Sequence, residues 1–251
     1  MSWHCLLVAA SASVVLASVS VASAGAPAAA AKPPVLVKGD RIVFLGDSIT
    51  QQGGGPKGYV TLVRNTLDVR VSGLGIETVN AGISGNKVPD LQQRLQKDVL
   101  DKKPTIVFIY IGINDVWHYK KQPNGELAGG TPKDKYEEGL RDIIARIRAA
   151  GARPIICTPS VIGEKTDGSN EYDKMLDEYS DISRNVAKDA AVQLLDLHRA
   201  FRDAEKAKNT ANRPSGVLTG DGVHLNDAGN ALVAAQMLGA IGMAGAPVAA
   251  K

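Results

Sequence analysis

The chain has 251 residues, 44% of them hydrophobic and only 4% aromatic, with a formal net charge of +3. That composition excludes a disordered or fibrous chain and fits one globular domain with a full core. The basic excess is small and spread along the sequence, so the charge gives no support to nucleic-acid binding.

At the N-terminus, Leu6 to Ala24 is a run of apolar and small residues ending in Ala22-Ser23-Ala24, the small-x-small pattern of a signal-peptidase site. It predicts a leader over 1–24, cleavage after Ala24, and a secreted or periplasmic protein with no stable membrane insertion. Met1 to Cys5 lacks a basic n-region, so an uncleaved anchor is the alternative. Cys5 is not preceded by a Leu-x-small pattern, so no lipid attachment is expected there. The Ala- and Pro-rich stretch 25–38 reads as a linker, and 39–251 as a single domain. Beyond the leader the sequence has one cysteine, Cys157, in an apolar PIIC run. No intrachain disulfide can form, and stability must come from a hydrophobic core.

From Asp40 onward, β-rich runs alternate with segments of helical period. The runs are IVFL (42–45), IETVNA (76–81), TIVFIYI (105–111), RPIICT (153–158) and VQLLDL (192–197). Between them, Val88, Leu91, Leu95 and Val99 share one helical face. Tyr136, Leu140, Ile143, Ile144 and Ile147 share another, stopped by Gly151 with Pro154 beyond. Tyr172, Met175, Leu176, Tyr179, Ile182 and Val186 form a third stripe. Asn226 is placed to cap a last helix through Leu232, Val233, Met237 and Ile241. Runs such as TIVFIYI do not alternate polar with apolar, so both faces of those strands are covered. The fold class expected is α/β, three layers around a central five-stranded parallel sheet.

In such a sheet, ligands bind beyond the carboxyl ends of the strands. There the sequence places Gly46-Asp47-Ser48, Asn80-Ala81-Gly82, Gly112-Ile113-Asn114-Asp115 and, before the last helix, Asp221-Gly222-Val223-His224. Each has a plainer reading alone: Asp and Ser cap helices, Gly and Asn fill turns, and a lone His is commonly structural. Together they meet the needs of a serine nucleophile: a base in reach, a group that orients the base, and donors for an oxyanion. Residues i and i+3 approach one another in a turn. Asp221 can therefore take a bond from His224 Nδ1 and leave Nε2 facing Ser48, with Gly222 freeing the turn.

These four blocks, GDSIT, NAGISGN, GINDV and DGVHLN, resemble in order the SGNH hydrolases of the GDSL esterase and lipase superfamily, over roughly Asp40 to Met243. The departure is Ile49-Thr50, where the naming motif has leucine. The resemblance implies a flavodoxin-like SGNH hydrolase fold. It also implies Ser48 as nucleophile, His224 as base and Asp221 as its orienter. The oxyanion donors it implies are Ser48 N–H, Gly82 N–H and the Asn114 amide. Two-step acyl transfer follows, with no metal or organic cofactor.

Competing glycine readings fail. GGGPKGY puts Pro56 before Lys57 and Gly58 after it, which is no phosphate loop. Gly73 to Thr78 lacks the third glycine of a dinucleotide fingerprint, and Thr50 stands where a nucleophile elbow needs glycine. His118 sits in a polar loop without a second His at ligand spacing, so metal binding is not expected. His198 is assigned to a loop or helix start, and Asp47 and Asp115 to loop shaping. Trp117 either walls the pocket or packs in the core. The loops 51–58, 118–131 and 163–171 are polar and glycine-rich, with no long apolar lid. They favour small acyl groups on a polar carrier: a small-molecule or carbohydrate ester, and first an acetyl ester of carbohydrate. The alternatives are a short-chain lipid or lysophospholipid esterase, and a non-catalytic carbohydrate-binding domain of the same fold. A phosphodiester hydrolase would want a metal cluster that four scattered histidines do not provide. The sequence says nothing of oligomeric state.

Overall fold

Five segments pair into one sheet, and the inner three are apolar along their buried lengths because both of their faces are covered. The structure, a computed structural model, describes Met1 and residues 36–248. The expected leader, and all but the last three residues of the expected linker, lie outside the described residues. In chain order the elements are β1 (Arg41–Gly46), α1 (Ser48–Gln52), α2 (Tyr59–Arg70), β2 (Glu77–Gly82), α3 (Val88–Asp98), β3 (Ile106–Tyr110), α4 (Ile113–Trp117), β4 (Lys120–Lys121) and β5 (Leu127–Ala128). There follow α5 (Lys133–Ala149), β6 (Arg153–Cys157), α6 (Asp173–Asp189), β7 (Gln193–Leu195), α7 (Leu197–Lys208) and α8 (Asp227–Ala240).

The main sheet has five parallel strands in the order β2-β1-β3-β6-β7. All five residues of β3 are buried, as are Ile42 to Gly46 of β1, which accounts for their unbroken apolar character. Phe44 and Phe108, paired across these two strands, stack with ring centroids 5.4 Å apart. β6 tolerates Pro154 because its ladder with β7 begins only at Ile155↔Gln193. In that register the missing N–H would face the Ala191 carbonyl, which accepts instead from Arg148 Nη2 at 2.8 Å.

The path of the chain separates the helices into two layers. β1 to β2 steps one way and β2 to β3 steps back across β1, so right-handed crossovers place α2 on the opposite face from α3, α5 and α6. Contacts agree: α2 packs on α8, whereas α3 packs on α5 and α5 on α6. The direction of winding reverses between β1 and β3, and a crevice opens there at the carboxyl edge.

The expected helices form on the expected faces. Val88, Leu91, Leu95, Tyr136, Leu140, Ile143, Ile144 and Ile147 are all buried. α5 stops in a Schellman turn: Gly151 at φ +79 donates to Arg148 O at 2.9 Å, and Ala152 N–H donates to Ile147 O at 3.1 Å. The fifth strand is shorter than its apolar run. It ends at Leu195 because the Asp196 side chain caps α7, accepting from Arg199 N–H. The segment 118–131 is a polar loop with a two-stranded hairpin, β4–β5, folded into it.

Candidate active site

The turn after β1 is built by residues that could hardly be exchanged. A Cβ on Gly46 would lie 2.1 Å from Thr50 Oγ1 and 2.5 Å from Tyr110 O, so only glycine lets the strand end so close to α1. Asp47 caps α1 by accepting from Ile49 N–H at 2.9 Å. Ser48 is therefore the first helical residue, largely buried, with its side chain turned to the last loop.

That loop carries Asp221 and His224. Ser48 Oγ and His224 Nε2 are 2.9 Å apart, and His224 Nδ1 is 2.7 Å from Asp221 Oδ2. An ionised carboxylate only accepts, so Nδ1 carries the proton and the neutral ring offers Nε2 as acceptor to the Ser48 hydroxyl. Asp221 Oδ1 is fixed in turn by the N–H groups of Val223, at 2.9 Å, and His224, at 2.7 Å. Burial alone would raise the Asp221 pKa, but these bonds from His224 and the backbone outweigh it and hold the carboxyl below its usual range. Gly222, at φ +95, gives the turn its shape. Asn226 caps α8 as expected, its side chain accepting from Ala228 and Gly229 N–H.

Asn114 lies in the first turn of α4, 3% exposed, and its Nδ2 donates to Asn86 O at 3.0 Å. A primary amide has two N–H groups, so one remains for a ligand. Gly82 is differently engaged. Its N–H donates to Asn80 Oδ1 at 2.9 Å, and a Cβ there would lie 2.2 Å from Gln51 N, so this glycine lets β2 approach α1. In the same loop Ile83 N–H donates to Gly46 O, Ser84 N–H to Gln51 Oε1 and Asn86 N–H to Ile83 O. Gly85, at φ +78, has an N–H with no acceptor among the described residues, as does Ser48. The Asn86–Asn114 bond brings the 85–86 segment beside the Asn114 amide.

The remaining candidates take supporting places. Asp47 is 2% exposed and burial pushes its carboxyl up to about 7; burial likewise lifts Asp115 to about 6. Asp115 shapes its loop by accepting from Val88 N–H at 3.1 Å. Trp117 packs on the core, and its ring stands edge-on to His224 with centroids 6.3 Å apart. His118 follows α4, and burial beside Lys87 and Lys120 holds its pKa down. Among the described residues there is no group of three or more His, Cys, Asp or Glu that could hold a metal ion. His198 starts α7, fixed between Ser160 O at 2.6 Å and Asp177 Oδ1 at 2.7 Å.

Three supporting residues carry no role in the sequence reading. Asn80 ties β2 to α1 through Thr50 O at 2.7 Å. Arg94 donates to Gly46 O at 2.8 Å and to Asn86 Oδ1 at 2.6 Å, joining the strand that delivers Ser48 to the loop beside Asn114. Asn80 and Asn86 stand inside the NAGISGN block, where a signal existed. Arg94 lies among other polar residues of α3, with nothing in its neighbourhood to mark it.

The model of the GDSL-like Lipase/Acylhydrolase family matches residues 44–232 of the chain, from β1 into α8. The chain belongs to this family. It is accordingly a carboxylic ester hydrolase, and its sheet and helices are those of the SGNH fold. An acetylxylan esterase of Geobacillus stearothermophilus is 33% identical over 223 residues, covering 81% of this chain and 94% of that protein. The crystal structure of Axe2, an acetylxylan esterase from Geobacillus stearothermophilus, superposes with a TM-score of 0.71 at 30% identity, over 82% of this chain and 95% of the other. Two further structures of that esterase are described as catalytic mutants, one with a serine and one with an aspartate replaced by alanine. The acetyl xylan esterase AlAXEase gives a TM-score of 0.75 and 41% identity over 80% of this chain and 99% of that one. A lipoprotein of Bacillus subtilis (strain 168) is 31% identical over 179 residues, 63% of this chain and 70% of that protein.

Proposed function

We propose that this GDSL-family hydrolase removes acetyl groups from carbohydrate by a Ser48-His224-Asp221 acyl-enzyme mechanism. The observation that carries the reading is the pair of hydrogen bonds, 2.9 Å and 2.7 Å, running from Ser48 through His224 to Asp221 at the point where the sheet reverses. His224 Nε2 takes the Ser48 proton as Oγ attacks the acetyl carbonyl carbon. The tetrahedral oxyanion is held by the Ser48 N–H, the Asn114 amide and, in place of the Gly82 N–H that the family resemblance implies, the Gly85 N–H. Collapse breaks the ester C–O bond, and the sugar oxygen leaves with the proton from His224. Water then gives a proton to His224 and attacks the acetyl-enzyme. Acetate departs, and the proton returns to Ser48 Oγ. Asp221 stabilises the imidazolium at both stages.

The acetyl and carbohydrate parts of the proposal are supported by the acetylxylan esterase relatives and by the polar loops around the site. A polymeric substrate suits an exported enzyme, which the leader pattern and the lipoprotein relative favour. The test compares acetate release from acetylated xylan with hydrolysis of aryl esters of increasing acyl length. Release from xylan, with aryl activity falling beyond acetyl, is expected; a rate rising with chain length would favour a lipid ester. In the same assay Ser48→Ala should lose at least ~1,000-fold in kcat. A fluorophosphonate probe that fails to label wild-type Ser48 would favour a non-catalytic binding domain.

A further inference from the structure

A fully buried carboxylate is costly unless its oxygens are satisfied, and ordinarily a cation does this. Glu164, in the loop after β6, is 0% exposed and has no ion-pair partner among the described residues. Its oxygens are filled by donors from one short segment instead. Val217 N–H donates to Oε2 at 2.7 Å, and Leu218 N–H to Oε1 at 2.7 Å. Thr219 gives Oε1 both its N–H, at 2.5 Å, and its hydroxyl, at 2.8 Å. This segment ends two residues before Asp221.

The grip extends into the turn itself. Thr219 Oγ1, while donating to Glu164, accepts from Gly222 N–H at 3.0 Å. Gly163 N–H, next to Glu164, donates to Gly222 O at 2.7 Å. Apart from the isolated bridge Thr219↔Leu225, the stretch from Asp221 to His224 belongs to no strand or helix, and Gly222 stands at φ +95. The turn's own bonds, from Val223 and His224 N–H to Asp221 Oδ1 and from Gly220 N–H to His224 O at 2.8 Å, fix Asp221 against His224 but do not fix the pair against Ser48. We propose that Glu164 is a positioning residue: its buried carboxylate, acting through Thr219, sets the Asp221–His224 turn so that Nε2 meets Ser48. This rests on the Ser48-His224-Asp221 reading given above.

Glu164→Gln keeps the side chain's shape but leaves a single acceptor oxygen, so at least one buried N–H faces an NH2 group. For an aryl acetate, kcat should fall roughly 10- to 100-fold, the scale of a misplaced catalytic group, with KM within about twofold. Thr219→Val, which removes the linking hydroxyl, should give the same kcat loss with KM likewise unchanged, and Thr219→Ser should restore kcat. Active-site titration with the fluorophosphonate normalises each rate to folded enzyme. Wild-type kcat in folded Glu164→Gln and Thr219→Val would overturn the proposal. If Glu164→Gln does not fold, the Thr219 pair decides alone. Wild-type enzyme whose turnover survives Ser48→Ala would instead remove the triad, and this inference with it.

Discussion

The proposed oxyanion site turns on what a single residue's backbone N–H is already bonded to. Gly82 and Gly85 stand three apart in one block, and either could donate an N–H. The first is held by Asn80 and is glycine because α1 passes too close for a Cβ. The N–H of the second has no acceptor among the described residues, and its φ is +78. A structure of the fluorophosphonate adduct on Ser48 should therefore place the phosphoryl oxygen on the N–H groups of Ser48 and Gly85 and on Asn114 Nδ2. A contact with Gly82 N–H, its bond to Asn80 broken, would reverse the assignment. Removing the amide in Asn114→Ala should lower kcat roughly 100-fold or more, with the urea midpoint little changed; unaltered kinetics would return Asn114 to a loop-forming role. The Asp221–His224 pair was legible in the sequence because its geometry is local, set by three residues' spacing. The choice between the glycines was not, since it depends on which N–H groups the folded chain consumes. Glu164 was hidden for a related reason: its donors lie more than fifty residues further along the chain.

At the scale of elements, the strongest signals were the runs with both faces covered and the helices whose apolar residues keep to one face. Each of these formed as read. α2 escaped the reading because its buried face mixes Thr61 and Thr66 with its apolar residues. Its start is capped from a distance, Tyr59 N–H donating to Asn230 Oδ1 of α8 at 2.9 Å. α7 was concealed because the apolar run of β7 continues into it, and Asp196 divides the two. Close packing was equally invisible. Gly139 faces α3 from within α5, and a Cβ there would lie 2.3 Å from Val88 Cγ1 and 2.9 Å from Gln92 Oε1. Helix propensity favours Gly139→Ala by about 1 kcal/mol. Val88 is fully buried and β-branched, so it cannot swing aside, and overpacking of this kind costs ~1–3 kcal/mol. Urea denaturation should show the variant to be less stable than wild type. A more stable variant would mean that α3 and α5 separate without cost.

Across the whole molecule, the burial that shapes the reversal point of the sheet also sets how stability responds to pH. Asp47 is raised to about 7, Asp115 to about 6 and, away from the site, Glu205 to about 8, in each case foremost by burial. In the unfolded chain such groups titrate near ~4. Between those values the native state holds protons that the unfolded state has released, so stability falls as pH rises. Asp221 works in the opposite sense, its lowered pKa supporting the native state above ~4 and losing that support as the medium becomes more acidic. The fold should therefore be most stable in mild acid and weaken from about pH 4 to about pH 8, from the unfolded value to the highest of the raised carboxyls. Asp47→Asn tests the largest contribution near the site. Asparagine keeps an oxygen for Ile49 N–H, so the cap on α1 survives while the titrating group is lost. Unfolding free energies from urea titrations between pH 5 and pH 8 should decline less steeply in the variant, by on the order of a few kcal/mol across the range. Parallel declines in the two proteins would show that Asp47 ionises in the native state as freely as it does in the unfolded chain.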